Sequence, residues 1–410
     1  MDMFEVEGNM KRRIAYICAA VVLLGLITGI CVYRIQAKNG FGHLGKEIIY
    51  FGDSSEDTSG DAPPEDTEEA DGEEKQPSAE KEEFSEEEGQ TAEATVTPEA
   101  TEEPYPVIKT SEKLKMYDST GTVVAGDTGF ELYNYVESSA SRYAKAINKF
   151  TKEVDQSVSV YEMVIPTSVG ITFPDNKVKK INSSDQKEAL EKIEKKLSGR
   201  ERFISLYDVM MRHRDEYIYF RTDHHWTQLG AYYAYTAFCQ EKGLEANPVT
   251  AYEKKVSEGF LGSIYVDADK NPDLRQDDVE MYYPVSKHLQ MQYKDSENRY
   301  KDGAVISDPT NFGISGKYLA FLCGDNPYTL IVNNEKQDGS SCIVVKESFG
   351  NAFVPFLADH YERIYVIDYR YWDGNLKDLV KTKRAKEVLF LNNISMTRNA
   401  YLIGMLAKIL

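Results

Sequence analysis

Two stretches of this chain concentrate residue types able to do nucleophilic chemistry. Thr222-Asp223-His224-His225-Trp226-Thr227 sets a carboxylate, two imidazoles, an indole and two hydroxyls side by side. Ser341-Cys342-Ile343-Val344-Val345-Lys346-Glu347-Ser348-Phe349-Gly350-Asn351 runs an apolar strand pattern into a serine. A serine hydroxyl is a weak nucleophile near neutral pH; it needs a base within hydrogen-bond reach, and the base needs a third group to fix its tautomer. Imidazole suits the base because it titrates near working pH. Asp223 and His225 lie two positions apart, and in an irregular segment that offset lets the carboxylate fold back onto Nδ1 and leave Nε2 for a serine from elsewhere. Ser348 stands at a strand end and a helix start, where the first-turn N–H groups, from Phe349 onward, face an incoming oxyanion. The expected triad is Ser348 as nucleophile, His225 as base and Asp223 as its orienting carboxylate.

The neighbouring residues admit two readings each. His224 is an alternative base. Trp226 either packs beside the site or binds substrate. Asn351 is either a helix-capping residue or an additional oxyanion donor. A metal centre on Asp223, His224 and His225 would need further ligands, and His213, His288 and His360 show no suitable spacing. No metal and no cofactor are expected.

The elements that must position these residues read as an α/β alternation. Short strands are expected at 122–125, 158–165 and 203–206, with helices at 134–154 and 184–197 between them. Tyr143, Ile147, Phe150 and Val154 recur at helical spacing along the first helix. A helix follows the Asp-His-His-Trp segment over 228–242 and stops at Gly243. Further strands are expected at 318–322, 328–332 and 342–345. After Ser348 come a helix (352–360), a strand (364–368), a helix (376–383), a strand (388–391) and a final helix (401–410). This order predicts a mostly parallel sheet flanked by helices. Residues 247–315 are polar and expected to be an irregular insertion of low stability with short strands, a candidate substrate-facing flap.

Charge divides the 410 residues sharply. Of 67 acidic and 48 basic residues, 21 acids and only 2 bases fall between Asp53 and Glu103, which leaves 46 of each elsewhere. The net charge of -19 therefore belongs to one tract. That tract has too little apolar surface to offset its ordering entropy, so residues 34–104 are expected to form an acidic, disordered linker. The balanced remainder offers no broad basic face for nucleic acid. Ile14–Tyr33 is a run of 20 residues without a charge, long enough to cross a hydrocarbon core as a helix. Lys11, Arg12 and Arg13 precede it, so residues 1–13 are expected in the cytoplasm, 14–33 as an uncleaved single-pass anchor, and 105–410 as an extracytoplasmic domain at the cell membrane. Gly52-Asp53-Ser54 has the look of an esterase nucleophile but lacks a following helix, and is set aside. The five cysteines form neither a disulfide framework nor a zinc site; Cys323 and Cys342 either pair across neighbouring strands or remain free thiols.

The hexapeptide at Thr222, with Lys346-Glu347-Ser348-Phe349-Gly350-Asn351 and Ile367-Asp368-Tyr369-Arg370-Tyr371, resembles the DHHW family of Gram-positive bacteria. That family is similar to the alginate O-acetylation proteins, which carry an SGNH-hydrolase-like domain. The resemblance spans roughly Tyr105 to Leu410. It implies an SGNH-like fold in which the Asp-x-His segment precedes the serine, as Asp223, His225 and Ser348 do. It further implies Arg370 and Asn393 near the site, with an amide of Asn392-Asn393 serving the oxyanion hole, and a multipass membrane partner that passes acetyl groups outward. Glu347-Ser348 departs from the usual Gly-Asp-Ser. The function expected is a membrane-anchored O-acyltransferase or esterase acting on acetyl groups of a cell-surface polysaccharide. The rival is a non-catalytic glycan-binding or assembly protein of the cell envelope, for which the 28 tyrosines would serve sugar stacking.

Overall fold

A computed structural model describes residues 105–410. The apolar run 14–33, the Gly52-Asp53-Ser54 triplet and the acidic tract lie outside the described residues. Among the described residues no helix is long and apolar enough to cross a membrane.

The first strands, β1 (Leu114–Tyr117), β2 (Thr122–Ala125) and β3 (Thr128–Glu131), form a small antiparallel sheet. The next are β4 (Ser159–Ile165), β5 (Arg202–Phe203), β6 (Glu253–Phe260), β7 (Asp277–Tyr283), β8 (Leu289–Lys294) and β9 (Tyr300–Gly303). They are followed by β10 (Tyr328–Asn333), β11 (Ser341–Lys346), β12 (Arg363–Asp368) and β13 (Glu387–Asn393). Eight of them form the main sheet in the order β5-β4-β13-β11-β12-β10-β8-β9. The five strands from β5 to β12 are parallel, and β10, β8 and β9 continue the sheet antiparallel. The result is a mixed α/β fold.

Alternation along the strands explains the layers. In β11, Cys342 and Val344 face one side while Ile343 and Val345 face the other, and all four are buried. Both faces are therefore covered, as a run without polar residues requires. The helices Gln228–Lys242 and Gly350–Leu357 pack on one face. The helices Glu137–Glu153, Leu376–Lys383 and Ala400–Ile409 pack on the other, with Tyr143, Ile147 and Phe150 buried at the expected helical spacing. Each fully buried aliphatic or aromatic side chain in these layers contributes about 1.5–3 kcal/mol.

Because β4, β13, β11 and β12 are parallel, their carboxyl ends share one edge, where ligand sites of open α/β sheets lie. Two segments depart from the sequence reading. Residues 318–322 do not form a strand; Lys317–Ala320 is a 3-10 turn that carries Tyr318. The polar segment 247–315 is more regular than expected: β6 and β7 make a two-stranded ladder, and β8 and β9 extend the main sheet. Cys239, Cys323 and Cys342 are free thiols, so the Cys323–Cys342 alternative falls away.

Candidate active site

The Asp-His-His-Trp segment is a tight loop ahead of the helix Gln228–Lys242. A bridge between Tyr219 and Trp226 closes it, and Phe220 N donates to the His225 carbonyl at 3.2 Å. Thr227 caps the helix, accepting from Gly230 N at 3.3 Å. Gly230 is obligatory in this packing, since a Cβ there would lie 2.3 Å from the Ile218 carbonyl oxygen. Asp277 of β7, wholly buried, fixes the loop from below. It accepts from Arg221 N (2.9 Å), Thr222 N (2.7 Å), Thr222 Oγ1 (2.5 Å) and the Tyr217 hydroxyl (2.6 Å).

Asp223 uses both oxygens. Oδ1 accepts from His225 N at 3.0 Å and meets His225 Nδ1 at 2.5 Å. Oδ2 accepts from Ser263 N at 2.9 Å and Ser263 Oγ at 3.2 Å. The chain at Gly262 passes so close that a Cβ would sit 2.3 Å from Asp223 Oδ2. On the other side of the imidazole, His225 Nε2 lies 2.7 Å from Ser348 Oγ. Carboxylate, imidazole and hydroxyl thus form one hydrogen-bonded line across 125 residues of sequence. His224 does not take part in it: its Nδ1 meets Ser263 Oγ at 2.6 Å, and its ring lies beside His225 with centroids 3.9 Å apart. Tyr318 lies against His225, stacked at 3.9 Å with planes 13° apart, and its hydroxyl donates to the Ser348 carbonyl at 3.0 Å.

Electrostatics assigns the protons. Burial alone would raise the Asp223 carboxyl, but the two imidazoles and the Ser263 amide hold it well below the usual carboxylate range. Burial, helped by His224, pushes His225 down to about 4 against the opposing pull of Asp223. The resting pair is therefore a carboxylate and a neutral imidazole. With Asp223 as acceptor the imidazole proton sits on Nδ1, and Nε2 presents its lone pair to the Ser348 hydroxyl.

Ser348 itself follows β11, and its helix starts at Gly350, as the sequence pattern requires. Glu347 turns back onto the same junction: Oε2 accepts from Phe349 N at 3.2 Å and lies 3.2 Å from Ser348 Oγ, and Oε1 accepts from Asn393 N at 2.9 Å. Burial raises its carboxyl, against the opposing charge of Arg370 and the two amides. Asn351 lines the cavity beside the serine, but its side chain does not cap the helix: Nδ2 donates to Asp325 at 2.8 Å, and its buried Oδ1 has no partner.

Arg370, after β12, also reaches the cavity, held by Asp368 (2.6 and 2.9 Å) and by Asp325 (2.9 Å). Lys346 meets the same two carboxylates from beneath, at 2.8 Å to Asp368 and 3.3 Å to Asp325. Burial would raise Asp325, yet Arg370 and Lys346 hold it well below its ordinary range. Asn393 ends β13 and lines the cavity, its Oδ1 accepting from Met396 N at 3.3 Å. Asn392 points the other way and donates to the Tyr143 hydroxyl at 3.1 Å in the core. Of the two readings of Trp226, packing is the one the structure shows: it is wholly buried, and its indole N–H donates to the Phe349 carbonyl at 2.9 Å. That bond ties the two functional stretches together behind the site. Phe349 lines the cavity, its ring 5.0 Å from that of His225.

Asp223, His224 and His225 offer ligand atoms within 4.8 Å of one another. Both Asp223 oxygens, both His225 nitrogens and His224 Nδ1 are already committed to hydrogen bonds within the protein, so the cluster is no preformed metal cage. Ser263, Tyr318, Asp325 and Asp277 were not singled out by the sequence. Ser263, Asp277 and Asp325 come from polar or irregular segments that carry no periodic signal, Tyr318 comes from a short apolar run expected to be a strand, and no spacing rule would have found them.

A cavity of about 740 Å³ opens onto this line, walled by Asp223, His224, His225, Ser348, Arg370 and Asn393 among others. The arrangement defines a mixed α/β protein with a hydroxyl, an imidazole and a carboxylate aligned at the carboxyl edge of its sheet. Residues 77–367 match the DHHW protein family, and the chain belongs to that family. The crystal structure of a DHHW family protein from Eubacterium siraeum is similar, with a TM-score of 0.64 and 29% identity, over 71% of this chain and 95% of that one. Bacillus cereus PatB1, solved with a sulfonyl adduct, gives a TM-score of 0.58 at 19% identity, over 69% of this chain and 97% of that one. The O-acetyltransferase domain of Pseudomonas putida AlgJ gives a TM-score of 0.39 at 12% identity, over 70% of this chain and 98% of that one. No curated protein matches the chain.

Proposed function

We propose that this protein is a serine-dependent O-acyltransferase or esterase acting on acetyl groups of a cell-surface polysaccharide. The observation that carries the reading is the unbroken line from Asp223 Oδ1 through His225 to Ser348 Oγ, with contacts of 2.5 and 2.7 Å. Ser348 attacks the acetyl carbonyl while His225 Nε2 takes its proton and later returns it to the leaving oxygen; Asp223 orients the ring and stabilises the imidazolium. The oxyanion contact falls to the side-chain amide of Asn393, which lines the cavity at the same edge, because the Phe349, Gly350 and Asn351 amides already donate to Glu347 and to the Ser348 carbonyl. The domain follows an acidic spacer (34–104) and a single membrane anchor (14–33), and faces outward from the cell membrane; the uncharged run at Ile14–Tyr33 supports that placement. A multipass membrane partner supplies the acetyl groups, since an external domain does not reach a cytoplasmic donor. The sulfonyl adduct of PatB1 supports a sulfonylation-sensitive group on this fold.

The test is to incubate the full chain with a chromogenic acetyl ester and to seek an acetyl adduct by mass spectrometry. The expected result is an adduct on the peptide containing Ser348, absent in Ser348→Ala. Equal background turnover in both, with no adduct in either, would leave the non-catalytic glycan-binding reading in its place.

A further inference from the structure

The walls of the cavity carry an unusual charge pattern for a polysaccharide site. Four carboxyl groups line it, those of Glu131, Asp223, Asp325 and Glu347, against two permanently charged cations, Arg370 and Arg398. Both cations are already paired with carboxylates. Arg370 is spent on Asp368 and Asp325, at 2.6 and 2.9 Å. Arg398 meets Glu131 at 3.0 Å. Among the described residues no lysine lines the cavity, and the nearby Lys346 is paired with Asp368 and Asp325. The two imidazoles are not permanent cations, and both nitrogens of His225 are occupied by Asp223 and Ser348.

We propose, resting on the acyl-transfer reading above, that the acceptor taken by this cavity is an uncharged polysaccharide, and that uronate- or phosphate-bearing chains are turned away. Recognition of a carboxylate or phosphate calls for a guanidinium or ammonium whose donors are free to fork onto it. Here both guanidiniums already hold carboxylates, Arg370 through Nε and Nη2 and Arg398 through Nη2, so an anionic acceptor would have to compete with Asp325, Asp368 and Glu131 for them. Like charges brought together in a desolvated site are a common device for excluding a ligand. What the wall offers instead suits sugar hydroxyls and sugar faces. Asn134, Asn393 and Ser395 supply neutral polar groups, while Phe312, Leu319 and the exposed ring of Tyr371 supply apolar surface. The volume, about 740 Å³, lies within the ~300–1,000 Å³ of pockets that take a drug-sized ligand, room for a short run of sugar units.

The step is a transesterification. An acceptor hydroxyl attacks the carbonyl carbon of acetyl-Ser348 and gives its proton to His225 Nε2. The bond from that carbon to Ser348 Oγ breaks, and Oγ takes the proton back from His225. An O-acetyl ester supplies the acetyl group in the first place.

The experiment uses the full chain, p-nitrophenyl acetate as donor, and two acceptor sets of matched length: neutral cello-, chito- and manno-oligosaccharides, and oligo-uronates. Mass spectrometry reads both the acetylated oligosaccharide and the acetyl adduct on Ser348. The expected result is acetylation of at least one neutral set at about tenfold or more over the uronates, given the like-charge penalty. Glu131→Gln and Glu131→Ala leave Arg398 without its carboxylate, and the uronate-to-neutral ratio is expected to rise severalfold in each. Because the ratio comes from one preparation, partial loss of folded protein cancels. Uronates acetylated as well as neutral sugars, or acetyl-Ser348 that passes to neither set, would overturn the inference while leaving the acyl-enzyme reading intact. No acetyl on Ser348 under any condition would overturn both.

Discussion

The two sides of the contact between His225 and Ser348 are built on different principles. The serine side grows out of the sheet: β11 lies between β12 and β13, its apolar residues are buried on both faces, and Ser348 stands two residues beyond its last strand residue. The imidazole side is a loop whose shape depends on polar contacts from a distant segment. Asp277 gathers the amides of Arg221 and Thr222, and Ser263 holds Asp223 Oδ2. Packing fixes the first side by many small contributions, whereas the second rests on a few hydrogen bonds, each costly to leave unmade. A site of this kind can lose its alignment on one side while the domain stays folded.

The largest effect tests the proton path itself. Asp223→Asn keeps the shape but offers Nδ1 a different partner, and hydrolysis of an acetyl ester is expected to fall by about 10⁴-fold, as loss of the orienting carboxylate does in a serine triad. Thermal melting of the same variant checks that the domain remains folded; a collapse in Tm would recast Asp223 as structural.

The next comparison sets the two sides against each other. Asp277→Asn is expected to cost about 1–3 kcal/mol through donors left unsatisfied, and to lower turnover per folded molecule because the loop carrying Asp223 and His225 relaxes. Val344→Ala in the middle of β11 is expected to cost a similar ~1–3 kcal/mol by opening a cavity, yet leave turnover per folded molecule close to wild type. Denaturant titrations paired with active-site-normalised rates separate the two. If both variants lose stability and turnover in equal measure, the contrast between a packed side and a hydrogen-bonded side is wrong.

The smallest effect is in the pH profile. His225 works only as the neutral base, and burial together with His224 lowers it to about 4. The rate is therefore expected to hold from roughly pH 8 down to 5 and to fall only as the pH drops through about 4, on the acid side. A midpoint near the ordinary imidazole value of about 6.5 would show that the ring is less buried than described, or that another group is the base.

Much of this was legible in the chain. The Asp-x-His offset, the helix behind it and the strand that ends at Ser348 all carry local signals: a capping threonine, helical periodicity and an uninterrupted apolar run. Arg370 and Asn393 were pointed to by the family resemblance, and the alternation of β11, β12 and β13 with their helices agrees in setting both at strand ends. Other features left no such trace. Tyr318-Leu319-Ala320-Phe321-Leu322 is an apolar run, and periodicity alone does not tell a strand from a turn in so short a stretch. It forms a 3-10 turn, which lays the Tyr318 ring flat on His225. Asp277 and Ser263 lie in the polar segment 247–315, where their partners are 40 to 55 residues away and only the folded chain brings them together. Sequence left Trp226 open between packing and binding, because only the folded chain shows that its indole N–H has a buried carbonyl to reach in Phe349.

The central claim, that Asp223 and His225 activate Ser348, is tested most directly by labelling the full chain with an aryl sulfonyl fluoride and mapping the adduct by mass spectrometry. The account predicts sulfonylation of Ser348 in the wild type, and a rate lower by orders of magnitude in His225→Ala, since without its base the hydroxyl is an ordinary alcohol. Labelling of Ser348 at the same rate in both proteins, or labelling confined to other residues, would contradict it.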